Sequence, residues 1–456
     1  MSRMRLLTRP RPSVAPLGFL IRAVLAATLV ACGGGSGSGL TGGGGAGGGH
    51  TTGGNGTGGA SLTGSAKPTC ADTGGPTGPT PIARADTAGA LGPDGRTFLM
   101  YGGDTAVAVC GGIPGHKHVG DTWLLDAGCG TWKEITPGTS PGARARHSLA
   151  LDAAHGRALL FGGRTRTGGS GPYTLFADVW AFDFKTSAWS PIATTGAGPS
   201  PRSNAAIAVS GDKLVVFGGN TSTSGLSFAP QNDTYAMDLA TGTWTKLAPS
   251  GPPTARLFHA MTADPGAHRV YVHAGGDANA FQGPFFADLW ALDLDALSFT
   301  DLHANNGGDG TGRIKLGLAA TAGKSGTAVY AFGGHDDGAI GNRNDVLEVD
   351  VSAASPAWTA VRHGDVAGKP ATSPCAFPPD FTTEDKASPE RRSAFAFGAR
   401  ADGAAFVVVG GDSDCGVLGD AWWFDTAAGA WTPIRQTLVG LTCLRTGSTT
   451  CSGLCG

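Results

Sequence analysis

Glutamate is almost missing from this chain. Only Glu134, Glu348, Glu384 and Glu390 occur in 456 residues, charged residues make up 15%, and the net charge is −2. So sparse and balanced a charge set gives no basic footprint for nucleic acid or anionic lipid surfaces. Sustained helical periodicity is also missing, which excludes a helix bundle. The longest N-terminal apolar run, Ala23 to Ala31, falls well short of the about 20 residues that cross a bilayer as a helix. Glycine is abundant instead, at 77 residues.

Six near-copies of one segment fill residues 80 to 436. Each opens on an arginine: Arg84, Arg144, Arg202, Arg256, Arg313 and Arg391. A glycine pair follows at Gly102, Gly162, Gly218, Gly275, Gly333 and Gly410, each with its successor. Next comes an Asp-x-aromatic step, as in Asp121-Thr-Trp123 and Asp178-Val-Trp180, varied to Asp345-Val-Leu347 in the fifth copy. A second Asp and a closing aromatic such as Trp132, Trp189 or Phe299 complete the unit. Regular self-similarity on this scale specifies a repeat architecture.

Each unit reads as four strands separated by turn residues at hairpin distances. The first strand is made of small residues, which suits a crowded axis where neighbouring backbones converge and leaves no room for Leu or Phe. The second runs into the glycines, where side chains would obstruct a turn or a close neighbour. The third and fourth carry aromatics that fill the wider outer gaps. Radial repetition leaves only short, protected edges.

The order Arg, apolar strand, Gly-Gly, spaced aromatic and Trp resembles the Kelch motif. The resemblance covers about 350 residues. It implies an all-β fold, a six-bladed β-propeller of four-stranded blades over 67–436, similar to the central domain of galactose oxidase. The repeats are long, with 56 to 60 residues between most glycine pairs and 77 before the last; the insertion runs from Arg362 to Glu390. Galactose oxidase chemistry needs Tyr and His copper ligands with a Cys-linked Tyr. Tyr101, Tyr173, Tyr235, Tyr271 and Tyr330 occupy repeat slots or strands and provide no such set.

Residues 1–31 combine five arginines, a short apolar core and Leu29-Val-Ala-Cys32. This is the pattern of a secretory signal, and its end is similar to a bacterial lipobox. The resemblance implies a diacylated Cys32 at the mature N-terminus and a membrane contact made through that lipid. Gly33 in place of Asp favours the outer membrane. Residues 32–66 are mostly Gly, Ser and Thr and predict a flexible tether, and 437–456 form a Cys-containing tail.

Eight cysteines remain after Cys32, an even number that suits disulfides in an exported protein. Cys70 and Cys375 precede their arginines by similar intervals, and Cys110 and Cys415 follow their glycine pairs. These matching positions predict Cys70–Cys110 and Cys375–Cys415. Cys129, Cys443, Cys451 and Cys455 are left without an assigned pairing.

The six arginines invite an anionic ligand at the channel mouth, but repetition in every unit favours a structural role through carboxylates or carbonyls. The repeated Asp residues suit ion pairing and turn capping. His116-Lys-His118 and His335-Asp-Asp337 lie in loops where imidazole and carboxylate can hold a transition metal, although a solvated loop is the commoner meaning and no metal or other cofactor is expected. Gly323-Lys-Ser325 and Gly138-Thr-Ser-Pro-Gly142 match phosphate-loop and nucleophile-elbow letters without the required helix.

The expected function is therefore a monomeric, lipid-anchored binding or scaffolding module at the cell envelope. Its ligand is a protein or saccharide held by the loops after the second strands, such as Arg164–Asp178 and Asn220–Asp233. The alternative is a sugar epimerase resembling sialic acid mutarotase, which needs an acid/base carboxylate beside a distinctive arginine.

Overall fold

The computed structural model describes residues 64–71, 78–106, 116–168, 170–279, 281–302, 312–323, 326–336, 341–368, 382–414 and 416–435. Cys32, the signal and most of the tether, Cys110, Cys375, Cys415 and the C-terminal tail lie outside them.

Six antiparallel sheets follow one another along the chain, and in blade two a short separate pair, Arg164–Thr165 with Thr174–Leu175, lies between the second and third strands. In blade one the strands are Ala88–Leu91, Thr97–Asp104, His118–Asp126 and Thr131–Ile135. Blade six ends the series with Ala396–Ala399, Ala405–Asp412, Val417–Asp425 and Ala430–Arg435. The blade six inner strand contacts Ala88–Leu91, so the ring closes without exchanging a strand between blades. Blade three gains a fifth strand, Thr195–Gly196, parallel to Thr243–Trp244.

Apolar side chains pack between blades. Phe98, Trp123 and Trp132 of blade one meet Val407 and Trp423 of blade six. Equivalent clusters join blades one and two around Tyr101 and Trp189, and three and four around Phe217 and Phe299. Large rings thus fill the outer wedges, as the sequence predicts. The inner strands enclose an axial cavity of about 390 Å³ lined by all six blades. Leu91, Leu149, Leu151, Leu318 and Phe397 correct the expectation that Leu and Phe do not fit an inner strand. Blade five accommodates Phe397 with Gly317, where a Cβ would lie 2.3 Å from the Phe397 ring.

The N-terminal part of the described chain crosses the seam between the last and first blades. Trp423 Nε1 donates to the Ser65 carbonyl at 2.9 Å, and Ser65 Oγ donates to Asp425 at 2.5 Å. Lys67 Nζ then donates to the Gly128 carbonyl at 2.8 Å, and Cys70 is disulfide-bonded to Cys129. The Cys70–Cys110 pairing expected from repeat analogy is therefore replaced. Cys129 sits in the outermost hairpin of blade one, beside Gly130, whose carbonyl accepts from Arg435 of blade six at 3.0 Å. Arg400 of blade six also donates to the Gly64 carbonyl at 2.5 Å.

Candidate functional site

The repeat arginines build the rim. Arg84, Arg144, Arg202, Arg256 and Arg313 are at most 2% exposed. Each forms a two-pronged pair with the aspartate of the Asp-x-aromatic step, for example Arg256 with Asp288 at 2.7 and 2.8 Å. Nη1 also donates to the carbonyl of the first residue of the glycine pair, as Arg144 does to Gly162 at 3.0 Å. Two parallel N–H···O bonds use the planar fork of arginine fully. The tryptophan of the motif donates to the same carboxylate: Trp123 to Asp121 and Trp290 to Asp288, both at 2.7 Å. The sequence therefore repeats Asp-x-Trp because one carboxylate receives both groups. The later aspartates cap turns, as Asp183 does by accepting from the Thr186 amide at 2.7 Å.

Two assignments shift by one residue. In blade six the repeat arginine is Arg392, which pairs with Asp420 and donates to the Gly410 carbonyl. Arg391 instead joins Asp365, in the long insertion, to Asp414. In blade four the left-handed pair is Ala274 and Gly275, with φ of 65° and 99°, so Ala274 stands where the other blades have glycine.

The second residue of each pair donates its amide to the arginine carbonyl of the next blade, from Gly103 to Arg144 at 2.9 Å and onward around the ring. A Cβ on Gly102 would meet the Arg144 carbonyl oxygen at 2.7 Å. Here the glycine requirement is a close backbone approach as well as a positive φ.

Two residues after each repeat arginine the backbone is again left-handed, with φ between 50° and 60°. The occupants are Asp86, Arg146, Asn204, Phe258, Lys315 and Ala394, six different non-glycine side chains. Their backbones are linked in series. Arg146 N donates to Asp86 O, Asn204 N to Arg146 O, Phe258 N to Asn204 O, Lys315 N to Phe258 O and Ala394 N to Lys315 O. Left-handed non-glycine residues persist only where surrounding structure fixes them, and they concentrate at functional sites.

These side chains form a charged and aromatic cup. Asp86 accepts from Arg146 Nε at 2.7 Å and lies 3.2 Å from Lys315 Nζ. Burial opposes ionisation of Asp86, but Arg146, then Lys315 and Arg164, hold its carboxyl well below the usual range. Asp412 behaves oppositely. Burial pushes its carboxyl up to about 7 despite Lys315, with Asp86 and Asp414 adding to the rise. On the other side Phe258 packs with Phe281 and Phe228, at ring separations of 5.4 and 6.0 Å. Arg146 and Lys315 each approach the Phe258 ring to 5.2 Å. Phe281 is 50% exposed, so this wall has apolar surface open to a ligand.

The predicted site residues fall into two groups. The repeat arginines are consumed by the scaffold. The loop histidines reach the mouth face: His116 pairs with Asp104, and His335 Nδ1 lies 3.3 Å from Asn342 Oδ1. Sequence reading missed the slot two residues beyond the arginine. The sequence does not single this slot out, because its neighbours vary as well: Ala85, Ala145, Ser203, Leu257, Ile314 and Ser393 precede it.

The match to known proteins agrees with this geometry. Acyl-CoA-binding domain-containing protein 5 of Arabidopsis thaliana is 28% identical over 273 residues, covering 57% of this chain and 39% of the relative. Kelch domain-containing protein 10 of Homo sapiens is 28% identical over 175 residues, covering 36% and 37%. Adagio protein 3 of Arabidopsis thaliana is 32% identical over 176 residues, covering 37% and 25%. The chain thus spans between 25% and 39% of the length of these relatives. The KLHDC2/KLHL20/DRC7 Kelch-repeats domain matches over 69–263 and again over 206–453. With six Arg–Gly-Gly–Asp blades closed into one ring, the chain belongs to this family of Kelch-repeat domains.

Proposed function

We propose that the chain is an exported, lipid-anchored binding module whose mouth-face cup takes a segment of a partner protein. The observation carrying this reading is the ring of six unlike side chains at one strained, equivalent position. The scaffold repeats everywhere around them, whereas this slot offers paired charges on one side and the Phe228–Phe258–Phe281 wall on the other. Aromatic and arginine groups at a central depression are the usual anchors of protein contacts. The Cys70–Cys129 disulfide supports an oxidising compartment, in keeping with the Leu-Val-Ala-Cys32 signal.

The test compares full-length protein with Phe281→Ser and Lys315→Ala in crosslinking pull-downs from native envelope, alongside a saccharide array. A protein captured by the wild type and lost from both variants supports the reading. Glycan binding without protein capture, or capture unchanged by both variants, refutes it. Fatty-acid labelling that survives Cys32→Ala would refute the anchor.

A second reading draws on Asp86 and Asp412 beside Arg146 and Lys315. A carboxyl titrating near neutrality beside fixed cations suits acid/base work on a sugar. NMR anomer-exchange measurements test it; exchange accelerated by wild type and abolished by Asp412→Asn would favour the epimerase.

A further inference from the structure

We propose that Asp104, His116 and His118 form a binding site for one divalent transition-metal ion, with Zn(II) the best match, at the inner end of the first mouth loop. One donor atom of each residue lies within 4.8 Å of the others. His116 Nδ1 is 2.6 Å and His118 Nε2 is 3.8 Å from the same Asp104 oxygen, Oδ2. Donors about 2.0–2.2 Å from a zinc ion are separated from each other by roughly 3–3.5 Å, so small adjustments in the two histidines would enclose it.

Three further features distinguish this cluster from a chance meeting of polar side chains. First, the His118 side chain is 2% exposed, yet neither ring nitrogen has a hydrogen-bond partner. A buried imidazole normally satisfies at least one nitrogen, and here Nε2 points towards the Asp104 carboxylate. Second, Asp104 is oriented from behind. Its Oδ1 accepts from the amides of Ala106 and Lys117 at 3.0 and 2.9 Å, leaving Oδ2 for the imidazoles. Such backing of a ligating carboxylate is what holds metal ligands in place. Third, the donors are two imidazoles and a carboxylate, a set suited to zinc and other first-row ions. His147 and His259 share the unpartnered ring nitrogens, but they sit three residues after repeat arginines, pack edge-on against Tyr101 and Phe217, and belong to no cluster of metal-ligating groups among the described residues.

Beyond the cluster itself, the charges of Arg164 and Asp86 act on His118 with opposite sign. Tyr173 covers the cluster, its ring 6.0 Å from His118 and 6.3 Å from His116, and the Arg164 guanidinium stacks 3.7 Å from the centroid of the same ring. The ion would thus be shielded by an aromatic ring and lie next to the Asp86 corner of the cup.

The experiment uses the full chain without a histidine tag, stripped with chelator and titrated with ZnCl₂ by calorimetry. Metal content after gel filtration and the visible bands of Co(II)-loaded protein give independent readouts. The expected result is one ion per chain in wild type, and at least a tenfold loss of affinity with altered Co(II) bands in His118→Leu and in His116→Gln. His116→Gln removes a partly exposed ring, so it tests the site even if the buried substitution perturbs folding. No stoichiometric uptake by wild type, or unchanged affinity and spectra in folded His116→Gln, overturns the site.

Discussion

The amide of Gly411 in the last blade donates to the carbonyl of Arg84 in the first at 3.0 Å. The same bond links every other pair of neighbours, so the ring closes through the repeat itself. Gly411 has φ of 105°, and a Cβ there would lie 2.7 Å from the Ser393 carbonyl oxygen. Gly411→Ala should cost at least about 2 kcal/mol of stability through backbone strain and the clash. Gly138→Ala, with open space around it, should change stability by under about 0.5 kcal/mol. Urea unfolding of both variants checks the contrast.

Replacing a rim arginine leaves its aspartate without that ion-pair partner, with the indole N–H as its remaining motif donor. Asp420, opposite Arg392, is 7% exposed, whereas Asp121, opposite Arg84, is 25% exposed. Arg392→Met should therefore destabilise by about 3–5 kcal/mol, the range for breaking a buried pair. Arg84→Met should cost less because water can reach Asp121. Equal losses in thermal or chemical unfolding would contradict this ordering.

Cys70 and Cys129 are 59 residues apart in sequence, and their bond closes a long loop. Loop-closure entropy predicts a loss of about 4 kcal/mol when both are changed to serine. The comparison of oxidised wild type with the double variant by denaturant titration measures it. Peptide mapping without reductant should recover the Cys70–Cys129 link.

His147 and His259 are buried. Burial, followed by the charges of Arg144 and Arg256 respectively, lowers each to about 3. The folded protein thus keeps both neutral, and the unfolded chain binds protons first as pH falls. Their contribution is complete above about pH 6.5 and is lost progressively as pH drops from there towards 3. Each should account for roughly 1–3 kcal/mol by pH 4.5. Relative to wild type, His147→Phe/His259→Phe should show a flatter decline in the urea midpoint between pH 6 and 4.

The scaffold was legible because its physics recurs. Asp178-Val-Trp180 announces a carboxylate shared by an arginine and an indole, and the glycine pairs announce left-handed backbone at a close approach. Ambiguity arose where neighbours are chemically alike. Arg391 and Arg392 are adjacent, and only their partners identify the repeat member. Ala274 stood hidden because Gly276 follows Gly275. The disulfide was misassigned because repeat analogy has no authority over a unique feature: Cys129 belongs to the seam, where the chain from Gly64 to Cys70 crosses between blades. The cup was the least legible part, since Asp86, Lys315 and Asp412 come from three blades and meet only after the ring forms.

Backbone amides and carbonyls run in series through Asp86, Arg146, Asn204, Phe258, Lys315 and Ala394, and side-chain pairs of Asp86 with Arg146 and Lys315 are added to that series. The backbone series asks nothing of side-chain identity, so in the proposed module Asn204 and Ala394 can be exchanged on one frame, whereas Asp86, Arg146 and Lys315 must change together to keep their charges paired.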